Sequence, residues 1–349
     1  MAESQIEQTV TFRSRLRPQP AAHDPRPSTR DPATHYHAHV TKRALFVYNP
    51  VARGAPPIDR LRGAIDQLAG WEASLETTTA AGHATELARG GATRGLDAVV
   101  ACGGDGTVNE VANGLAGSPT TLAVVRGGTA NVWAKEARLP HDPAAAIRLL
   151  AEGETRTVDL GRASAIGGSS GGGDRYFLLM AGVGLDAAVV REVSSSLKQR
   201  FGAASYLLYG VRRALRYPSV DADLVVDGAP LTSPLYWLLL GNTRNYAGLL
   251  NITHLAKADD GRLDMALLPK GGLLRLAWLA PWVLLGRHHG RGGIRYRTLE
   301  TLEVRTPGLP VQIDGEYLTE TPLRFEVAPA TLRVIVPRDL QSPLFAGST

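Results

Sequence analysis

Short apolar runs alternate with amphipathic stretches over the first half of the chain. The run Ala44–Tyr48 ends at an Asn-Pro pair and predicts a buried strand. The stretch after it predicts a helix with four apolar residues on one face: Ile58, Leu61, Ile65 and Leu68. The alternation recurs in "WEASLETTT" with "GHATELARGGATRG", "LDAVVAC" with "VNEVANGLAG", and "TTLAVV" with "ANVWAKEA". This pattern favours an α/β domain with a parallel sheet, which we assign to residues 41–155.

Strand-like runs dominate the second half of the chain. They include "RYFLLMAGV", "DADLVVDG", "PLYWLLLGN", "RLDMALL", "TLEVRT", "PVQIDGE", "LRFEVAP" and "TLRVIVP". Glycine and proline turns separate several of them, which predicts a β-sandwich-like domain over residues 156–337, with helices around 185–216 and 272–286. Residues 1–40 are rich in Pro, Arg and His, have little apolar periodicity, and are predicted to be disordered. Residues 338–349 form a C-terminal tail that either stays apart or returns to the first domain.

Composition places few limits on function. The chain has 349 residues, a formal net charge of +5 and one cysteine, so an intrachain disulfide is excluded and a reducing compartment fits. The opening "MAESQIEQTV" has neither the basic start nor the apolar core of a secretory signal. The basic residues are not interleaved with aromatic ones in a stripe, which argues against nucleic acid as a partner.

One apolar stretch, "GLLRLAWLAPWVLLG" at 272–286, is too short to span a bilayer. Two interpretations are open: a monotopic contact with an anionic membrane, or a helix that packs on the sandwich. A cluster of basic residues and histidines without acidic residues follows it: Arg287, His288, His289, Arg291, Arg295 and Arg297. This cluster is either a solvated surface or an attraction to anionic lipid or a phosphorylated substrate.

A G-T-x-N unit occurs twice, each time where a predicted strand passes into a helix. The first is Gly106-Thr107-x-Asn109 and the second is Gly128-Thr129-x-Asn131. Successive parallel strands bring such junctions to one edge of the sheet, where glycine and a helix start can receive a phosphate. The sequence therefore predicts a phosphate site made from two helix starts, without a Walker lysine. The simpler alternative is two turns, each with a threonine N-cap.

Three carboxylates are candidates for chemistry. Asp105 lies inside the first glycine turn, where it can hold Mg²⁺, accept a proton, or accept backbone N–H bonds. Asp314 and Glu316 flank Gly315 near the end of a predicted strand. An Asp-Gly pair is usually only a turn, so the pattern alone leaves a catalytic role for this pair open.

The ordered motifs resemble those of the soluble bacterial diacylglycerol kinase and lipid kinase family, relatives of sphingosine and ceramide kinases. The resemblance extends from about Lys42 to Pro337. It rests on "NPVARG", "TTAAGHATELA", "GGDGTVNE", "GGTANVWAKE", "MAGVGLDAAV", "GNTRNYAGLLNITHLAKADDGRLD" and "QIDGE", in that order. The glycine loop alone is shared with NAD kinases and is related to that of phosphofructokinases, so the order of the set gives the resemblance its specificity.

The resemblance implies an NAD kinase/phosphofructokinase-like α/β domain and a β-sandwich domain, with ATP in the cleft between them. It implies nucleotide contacts at Asn49, Pro50, Val51, Ala52, Arg53, Thr78, Gly103, Gly104, Asp105, Gly106, Thr107, Val108, Asn109 and Thr129. It implies that Glu316 accepts the proton of a lipid hydroxyl, with Asp105 as rival base or partner of Mg²⁺. A structural metal is implied at Asp260 and the backbone carbonyl of Arg262, although Lys257 stands where another acidic ligand can occur.

The function expected from the resemblance is ATP- and Mg²⁺-dependent phosphorylation of a lipid hydroxyl, with diacylglycerol as the leading substrate and phosphatidic acid as the product. The expected setting is cytoplasmic, peripheral at the anionic inner face of a membrane. A NAD kinase-like activity on a soluble substrate and a non-catalytic nucleotide- or membrane-binding regulator are the alternatives. The sequence leaves both a monomer and a homodimer open.

Overall fold

The computed structural model describes most of the chain after residue 40. The described residues are 10–11, 41–167, 174–192, 214, 216–246, 248, 250–285, 287–288 and 293–347. The predicted disordered tail lies outside them, apart from strand β1, Val10–Thr11, which pairs antiparallel with a strand of the first domain. Most of the predicted helical region around 185–216 also lies outside the described residues.

The first lobe alternates strands and helices, as the apolar pattern predicts. Its elements are β2 (Lys42–Tyr48), α1 (Ile58–Ile65), β3 (Trp71–Thr77), α2 (His83–Thr93), β4 (Ala98–Gly103), α3 (Asp105–Leu115), β5 (Thr121–Arg126), α4 (Val132–Glu136) and α5 (Pro143–Glu152). All six residues of β4 are buried because helices cover both faces of the sheet: α2 and α3 on one side, α1 and α5 on the other. α5 begins sharply because the Asp142 carboxylate accepts the Ala145 N–H, with Pro143 in the first turn.

The second lobe is built mostly of strands. Its elements are β6 (Glu154–Ala165), β7 (Arg175–Phe177), β8 (Met180–Gly184), α6 (Leu185–Glu192), β9 (Val220–Val226), β10 (Ala229–Leu235), β11 (Trp237–Gly241), β12 (Leu263–Leu268), α7 (Leu273–Leu284), β13 (Arg295–Leu299), β14 (Thr301–Val304), β15 (Pro310–Ile313), β16 (Glu316–Glu320) and β17 (Leu323–Val336). The predicted fold class, an α/β domain followed by a β-sandwich-like domain, is confirmed.

Two sheets organise these strands, and one of them runs through both lobes. The larger sheet has the order β1-β3-β2-β4-β5-β17-β14-β9-β10, with β6 paired to β17 and β7 to β6. β17 lies parallel to β5 near Val334 and antiparallel to β14 near Phe325, so it joins the parallel sheet to the sandwich. The smaller sheet has the order β13-β12-β11-β8-β15-β16.

The core of the sandwich lies between these two sheets. Its fully buried residues come from alternate positions of both: Leu224, Val226, Leu302 and Phe325 from the larger sheet, and Val183, Leu238, Leu240, Met265 and Val311 from the smaller. All six residues of β12 are buried, and two of them, Ala266 and Leu268, belong to a buried cluster that also contains Leu279 and Val283 of α7. β9 instead alternates between buried and more accessible positions. This alternation explains why β9 was recognisable from sequence as a strand.

Several strands differ from the sequence prediction. "LRFEVAP" and "TLRVIVP" form the single strand β17, which keeps its pairing with β6 across an irregularity at Ala328 and Leu332. "PLYWLLLGN" is divided at Tyr236 between β10 and β11. The basic residues Arg295 and Arg297 belong to β13, which the sequence did not reveal because its outward positions are charged.

The C-terminal tail returns to the protein body. Leu344 and Phe345 are buried in a cluster that includes residues of the first lobe. The Ser342 hydroxyl donates to the Glu136 carbonyl at 2.8 Å, and the Ala346 N–H donates to the Asp259 carboxylate at 2.6 Å. The tail therefore contacts α4 and the loop before β12.

Candidate active site

Loops from four parallel strands meet at the carboxyl edge of the first-lobe sheet. The Asn49 N–H after β2 donates to the Cys102 carbonyl of β4 at 3.0 Å. The Thr78 N–H after β3 donates to the Tyr48 carbonyl of β2 at 2.8 Å. Parallel strands in this order bring all their following loops to one edge. The predicted phosphate loops therefore lie together on one surface.

The glycine turns after β4 and β5 pack backbone against backbone. The Gly127 N–H donates to the Gly103 carbonyl at 2.8 Å, and the Gly127 carbonyl accepts the Gly54 N–H at 2.9 Å. A Cβ on Gly127 would lie 2.9 Å from the Gly103 Cα, and a Cβ on Gly128 would lie 2.6 Å from the Gly104 Cα. No side chain fits at that separation, so both turns need glycine.

Replacing Gly128 with alanine should force these two turns apart. We expect the free energy of unfolding to fall by about 1–3 kcal/mol, as in other crowded cores. We expect nucleotide affinity to fall about tenfold or more, because a displaced loop no longer presents its N–H groups correctly. Thermal denaturation and titration calorimetry with ATP measure the two effects.

The matched control is Gly63→Ala in α1, where no atom lies within 4 Å of the added methyl group. This control should raise stability by roughly 0.5–1 kcal/mol, because alanine favours the helix, and leave ATP affinity unchanged. Equal losses of ATP affinity in the two variants would contradict the crowding argument.

Asp105 begins α3, yet its carboxylate serves the other glycine turn. Its Oδ1 accepts the Val132 N–H at the start of α4, at 2.7 Å. Burial raises the pKa of Asp105, against the opposing effects of the backbone N–H groups of Val132, Trp133 and Asn131 and of the Lys135 charge. The carboxylate therefore occupies the position where the sequence pattern predicted a phosphate.

The second helix start therefore offers fewer free N–H groups to a phosphate than the sequence pattern indicated, and its phosphate contact stays a prediction. α4 has only five residues, and its first N–H group is already bonded to the carboxylate of Asp105. Of the three roles that the sequence left open for Asp105, accepting backbone N–H bonds is the one that the geometry shows. Its role as a base or as a partner of Mg²⁺ remains a prediction.

The side chains of the first G-T-x-N unit are bonded within the protein. The Asn49 Nδ2 donates to the Thr107 Oγ1 at 2.9 Å, which links the loops after β2 and β4. The Asn109 Nδ2 donates to the Tyr176 carbonyl at 3.0 Å and to the Asp314 Oδ2 at 2.7 Å. Because Tyr176 and Asp314 belong to the second lobe, Asn109 joins the two lobes directly beneath the glycine turn.

Asp314 has a larger role than its Asp-Gly context suggested. Its carboxylate accepts N–H bonds from three consecutive residues, Leu178, Leu179 and Met180, at 2.8–2.9 Å. Burial raises the pKa of Asp314 to about 6, while these donors and Asn109 oppose the rise. The four hydrogen-bond donors around it favour the ionised form of the carboxyl group. No side-chain pattern could have shown this role, because three of the four donors are backbone groups.

Glu316 approaches the first glycine turn from the second lobe. Its Oε1 lies 3.1 Å from the position that a Cβ would take on Gly106. The side chain is exposed, and the hydrogen bonds and ion pairs found among the described residues include none to its carboxylate. It is thus available to a substrate hydroxyl placed over the turn, as a proton acceptor must be. The structure brings Glu316 to the predicted phosphate loops although more than half of the chain separates them.

The remaining predicted nucleotide residues occupy three kinds of environment. Pro50, Val51, Arg53 and Thr129 are exposed, while Ala52 and Thr78 are half-buried. Val108 has its side chain in the core and its N–H bonded to the Gly104 carbonyl at 3.0 Å. Its predicted contact with the nucleotide would therefore have to avoid both of these groups.

Two charged residues near the loops were missed by pattern reasoning. Lys135 is exposed, and its charge acts on the carboxyl group of Asp105. The Glu110 carboxylate accepts the N–H groups of Gly82 and Ala84 at 3.0 Å each, which ties α3 to the start of α2. Lys135 follows the second G-T-x-N unit by one helical turn, and that spacing is the signal that could have identified it.

The predicted metal ligands Asp260 and Arg262 lie in one loop before β12. The Asp260 Oδ1 accepts the Arg262 N–H at 3.1 Å, and the neighbouring Asp159 carboxylate accepts the Gly261 N–H at 2.7 Å. The Lys257 charge acts on Asp260. Within the described part of the chain, no three His, Cys, Asp or Glu residues are grouped to hold a metal ion. These residues fit a hydrogen-bonded loop better than a cation site, and the metal remains a prediction.

An α/β lobe whose glycine turns face a carboxylate from a β-sandwich lobe defines a two-lobed kinase architecture. Comparison with protein families agrees with this class. The model of the diacylglycerol kinase catalytic domain matches residues 43–163, and that of the YegS C-terminal NAD kinase beta sandwich-like domain matches residues 180–336. The two models match the two lobes in order, and this agreement confirms the resemblance found in the sequence motifs.

Curated relatives align with most of this chain. The diacylglycerol kinase of Staphylococcus carnosus is 28% identical over 309 residues, which is 87% of this chain and 98% of the relative. That of Staphylococcus saprophyticus is 29% identical over 308 residues, again 87% and 98%. These relatives support a kinase whose phosphate acceptor is an alcohol.

Solved structures show the same fold. The crystal structure of a diacylglycerol kinase from Bacillus anthracis superposes with a TM-score of 0.66 at 23% identity, covering 85% of this chain and 97% of that one. A second structure from the same organism gives a TM-score of 0.70 at 24% identity, with 85% and 98% covered. None of the helices in the described ranges has the length and hydropathy of a membrane span.

Proposed function

We propose that the protein transfers the γ-phosphate of ATP to a lipid hydroxyl, with diacylglycerol as substrate and phosphatidic acid as product. The observation that carries this proposal is Glu316, whose carboxylate has no hydrogen bond or ion pair with another described residue and which the second lobe holds against the glycine turn at Gly106. The diacylglycerol kinases of the staphylococci, which align over nearly their full length, support diacylglycerol as the acceptor.

The proposed chemistry assigns separate tasks to the two lobes. Backbone N–H groups of Gly104 and of the first turn of α3 bind the phosphates, and the exposed cations Arg53 and Lys135 offset their charge. Mg²⁺, when bound with ATP, supplies further charge neutralisation. Glu316 accepts the proton of the attacking hydroxyl, so the new P–O bond forms as the bond to ADP breaks.

Asp105 and Asp314 are proposed to position these groups. Asp105 fixes the second glycine turn through the Val132 N–H, and Asp314 fixes the strand end from which Glu316 projects. Asn109 connects the two halves because its amide donates to Asp314. The geometry of phosphoryl transfer would then depend on residues that need not touch the substrate.

Transfer of labelled phosphate from ATP to a panel of acceptors tests the proposal. The panel contains diacylglycerol, phosphatidylglycerol, a sphingoid base and a polyprenol in mixed micelles, together with NAD in solution. Phosphatidic acid as the main product would support the proposal. Phosphorylation of NAD alone would favour a NAD kinase-like enzyme, and ATP binding without any transfer would favour a non-catalytic regulator.

The proposed substrate also sets the proposed location. Diacylglycerol resides in bilayers, so an enzyme that phosphorylates it works at a membrane surface. We therefore place the protein in the cytoplasm, peripheral at the inner face of the membrane. Flotation with vesicles measures this association directly.

A further inference from the structure

Helix α7 has two apolar faces, of which only one is covered by the protein. Leu279 and Val283 are buried in the cluster that contains Leu239 and Ala266 of the six-stranded sheet. On the other face Leu274, Trp278 and Leu285 are 89%, 53% and 64% exposed. The sequence left open whether this stretch packs on the sandwich or faces a membrane, and the two faces show that it can do both.

The exposed residues form one continuous stripe. Leu274, Trp278, Pro281 and Leu285 follow one another at intervals of three or four residues, so they project from the same side of the helix. Trp282 lies beside Trp278, with 6.2 Å between the ring centroids. Exposed apolar patches of this kind mark an interaction site, and tryptophan in particular favours the boundary between water and lipid.

The charges around α7 identify the partner. The sequence from 265 to 299 contains no Asp or Glu and has six cations: Lys270, Arg275, Arg287, Arg291, Arg295 and Arg297. Lys270 and Arg287, just before and just after the helix, are exposed. Arg295 and Arg297 lie on the adjacent strand β13, where Arg297 approaches Asp227 at 3.7 Å. An apolar stripe bordered by cations is complementary to an anionic bilayer surface.

We propose that α7 is a monotopic docking helix, which lies in the plane of an anionic bilayer with Leu274, Trp278 and Leu285 among the lipid chains. A helix of 12 residues suits this position and is too short to cross the bilayer. The proposal rests on the proposed function in one respect: a lipid substrate explains why the protein binds a membrane. The inner face of α7 stays on the sandwich, so docking requires no unfolding of the lobe.

Partitioning into vesicles of phosphatidylcholine with and without phosphatidylglycerol tests the apolar stripe. Trp278→Ala and Leu274→Ser should each weaken binding about tenfold or more, because each removes apolar area that the lipid would cover. The matched control is Leu279→Ala, the neighbour of Trp278 on the buried face. Leu279→Ala should lower the melting temperature but leave vesicle binding unchanged. Trp278→Ala and Leu274→Ser should weaken vesicle binding but leave the melting temperature unchanged.

Quenching by brominated phosphatidylglycerol places the helix at the bilayer. Intrinsic fluorescence of the wild type should be quenched on binding, and Trp278→Phe should lose part of this quenching while it still binds. Equal quenching in the two proteins would contradict insertion of Trp278.

A charge comparison tests the anionic requirement. Lys270→Gln with Arg287→Gln should weaken binding to vesicles that contain phosphatidylglycerol about tenfold or more, since each cation near such a surface contributes to attraction. The control is Arg89→Gln with Arg148→Gln, which removes the same charge from exposed positions of α2 and α5. Equal weakening by both pairs would show a net-charge effect and overturn the assignment to α7.

Two further measurements separate this proposal from the proposed function. The docking variants should keep wild-type turnover of a short-chain diacylglycerol that is dispersed below its micellar concentration. Loss of that turnover together with unchanged vesicle binding would overturn the docking proposal. Sedimentation of the wild type as a dimer that Trp278→Ala dissociates would also overturn it, because a second copy would then cover the stripe. An enzyme that binds anionic vesicles through α7 but phosphorylates no lipid would leave docking intact and contradict only the kinase assignment.

Discussion

Replacing Glu316 with glutamine should lower kcat about 10²- to 10⁴-fold, the usual range for loss of a general base. Glutamine keeps the size of the side chain and removes only its ability to take the proton. Glu316 is exposed, and its carboxylate has no hydrogen bond or ion pair with another described residue. The melting temperature and the affinity for ATP should therefore stay near wild-type values. Steady-state kinetics, calorimetry with ATP and thermal denaturation measure the three quantities.

Glu320→Gln is the matched control for this change. Glu320 is an exposed carboxylate at the other end of β16, where it pairs with Arg191 at 2.7 Å, and its loss should leave turnover nearly unchanged. Full activity of Glu316→Gln would transfer the role of base to Asp105. In that case Asp105→Asn should abolish turnover without loss of stability, whereas the bond to Val132 leads us to expect a loss of both.

Replacing Asp314 with asparagine should cause the largest combined loss of stability and activity. The carboxylate oxygens accept three backbone N–H groups and the Asn109 amide, and asparagine offers only one oxygen together with an NH₂ group. Each buried donor left unpaired costs about 1–3 kcal/mol. A shift of the strand end by about 1 Å would misplace Glu316 and lower kcat about 100-fold. Denaturant unfolding and kinetics below the melting temperature of the variant measure both effects.

The pH dependence of the free energy of unfolding tests whether the buried carboxyl group of Asp314 causes this loss of stability. Its pKa is about 6 in the folded protein, above the ordinary value of about 3.9, so the folded state holds this proton more tightly than the unfolded state does. Its contribution to the free energy of unfolding is therefore fully present below about pH 4 and is lost as the pH rises through about 6. The stability difference between wild type and Asp314→Asn should accordingly shrink over that window.

Asp221→Asn is the control for the pH dependence. Asp221 is exposed on β9, so its replacement should leave the stability profile parallel to that of the wild type. A profile for Asp314→Asn that is also parallel to the wild type between pH 4 and 6 would contradict the role of burial at Asp314.

The features that sequence predicted correctly are those set by local pattern. The apolar runs of β2, β4 and β5 and the glycine turns that follow them are near neighbours in the chain. Because these strands are parallel, the loops that follow them lie at the same edge of the sheet. The position of Glu316 came from the family resemblance and not from pattern, because an Asp-Gly pair near a strand end usually marks only a turn.

The features that sequence could not predict depend on partners far away in the chain or on backbone groups. β17 joins β5 across an edge that no local signal marks, and the charged outward residues of β13 concealed a strand. The roles of Asp105 and Asp314 depend on N–H groups of residues 131–133 and 178–180, whose side chains are not involved. Composition identifies a carboxylate, but only the fold shows which donors surround it.

The position of β17 has a consequence for how the protein is made. β17 is synthesised after every other strand of the large sheet, yet it occupies the place next to β5 in the first lobe. Until Arg333 and Val334 reach Thr121 and Leu122, β5 presents an open edge, the kind of surface that favours wrong pairing. The sheet of the first lobe therefore lacks one neighbouring strand until the end of the chain is made, and a chain that stops before Leu323 would leave the edge of β5 open. We therefore expect the large sheet to be completed only after its last strand has been released.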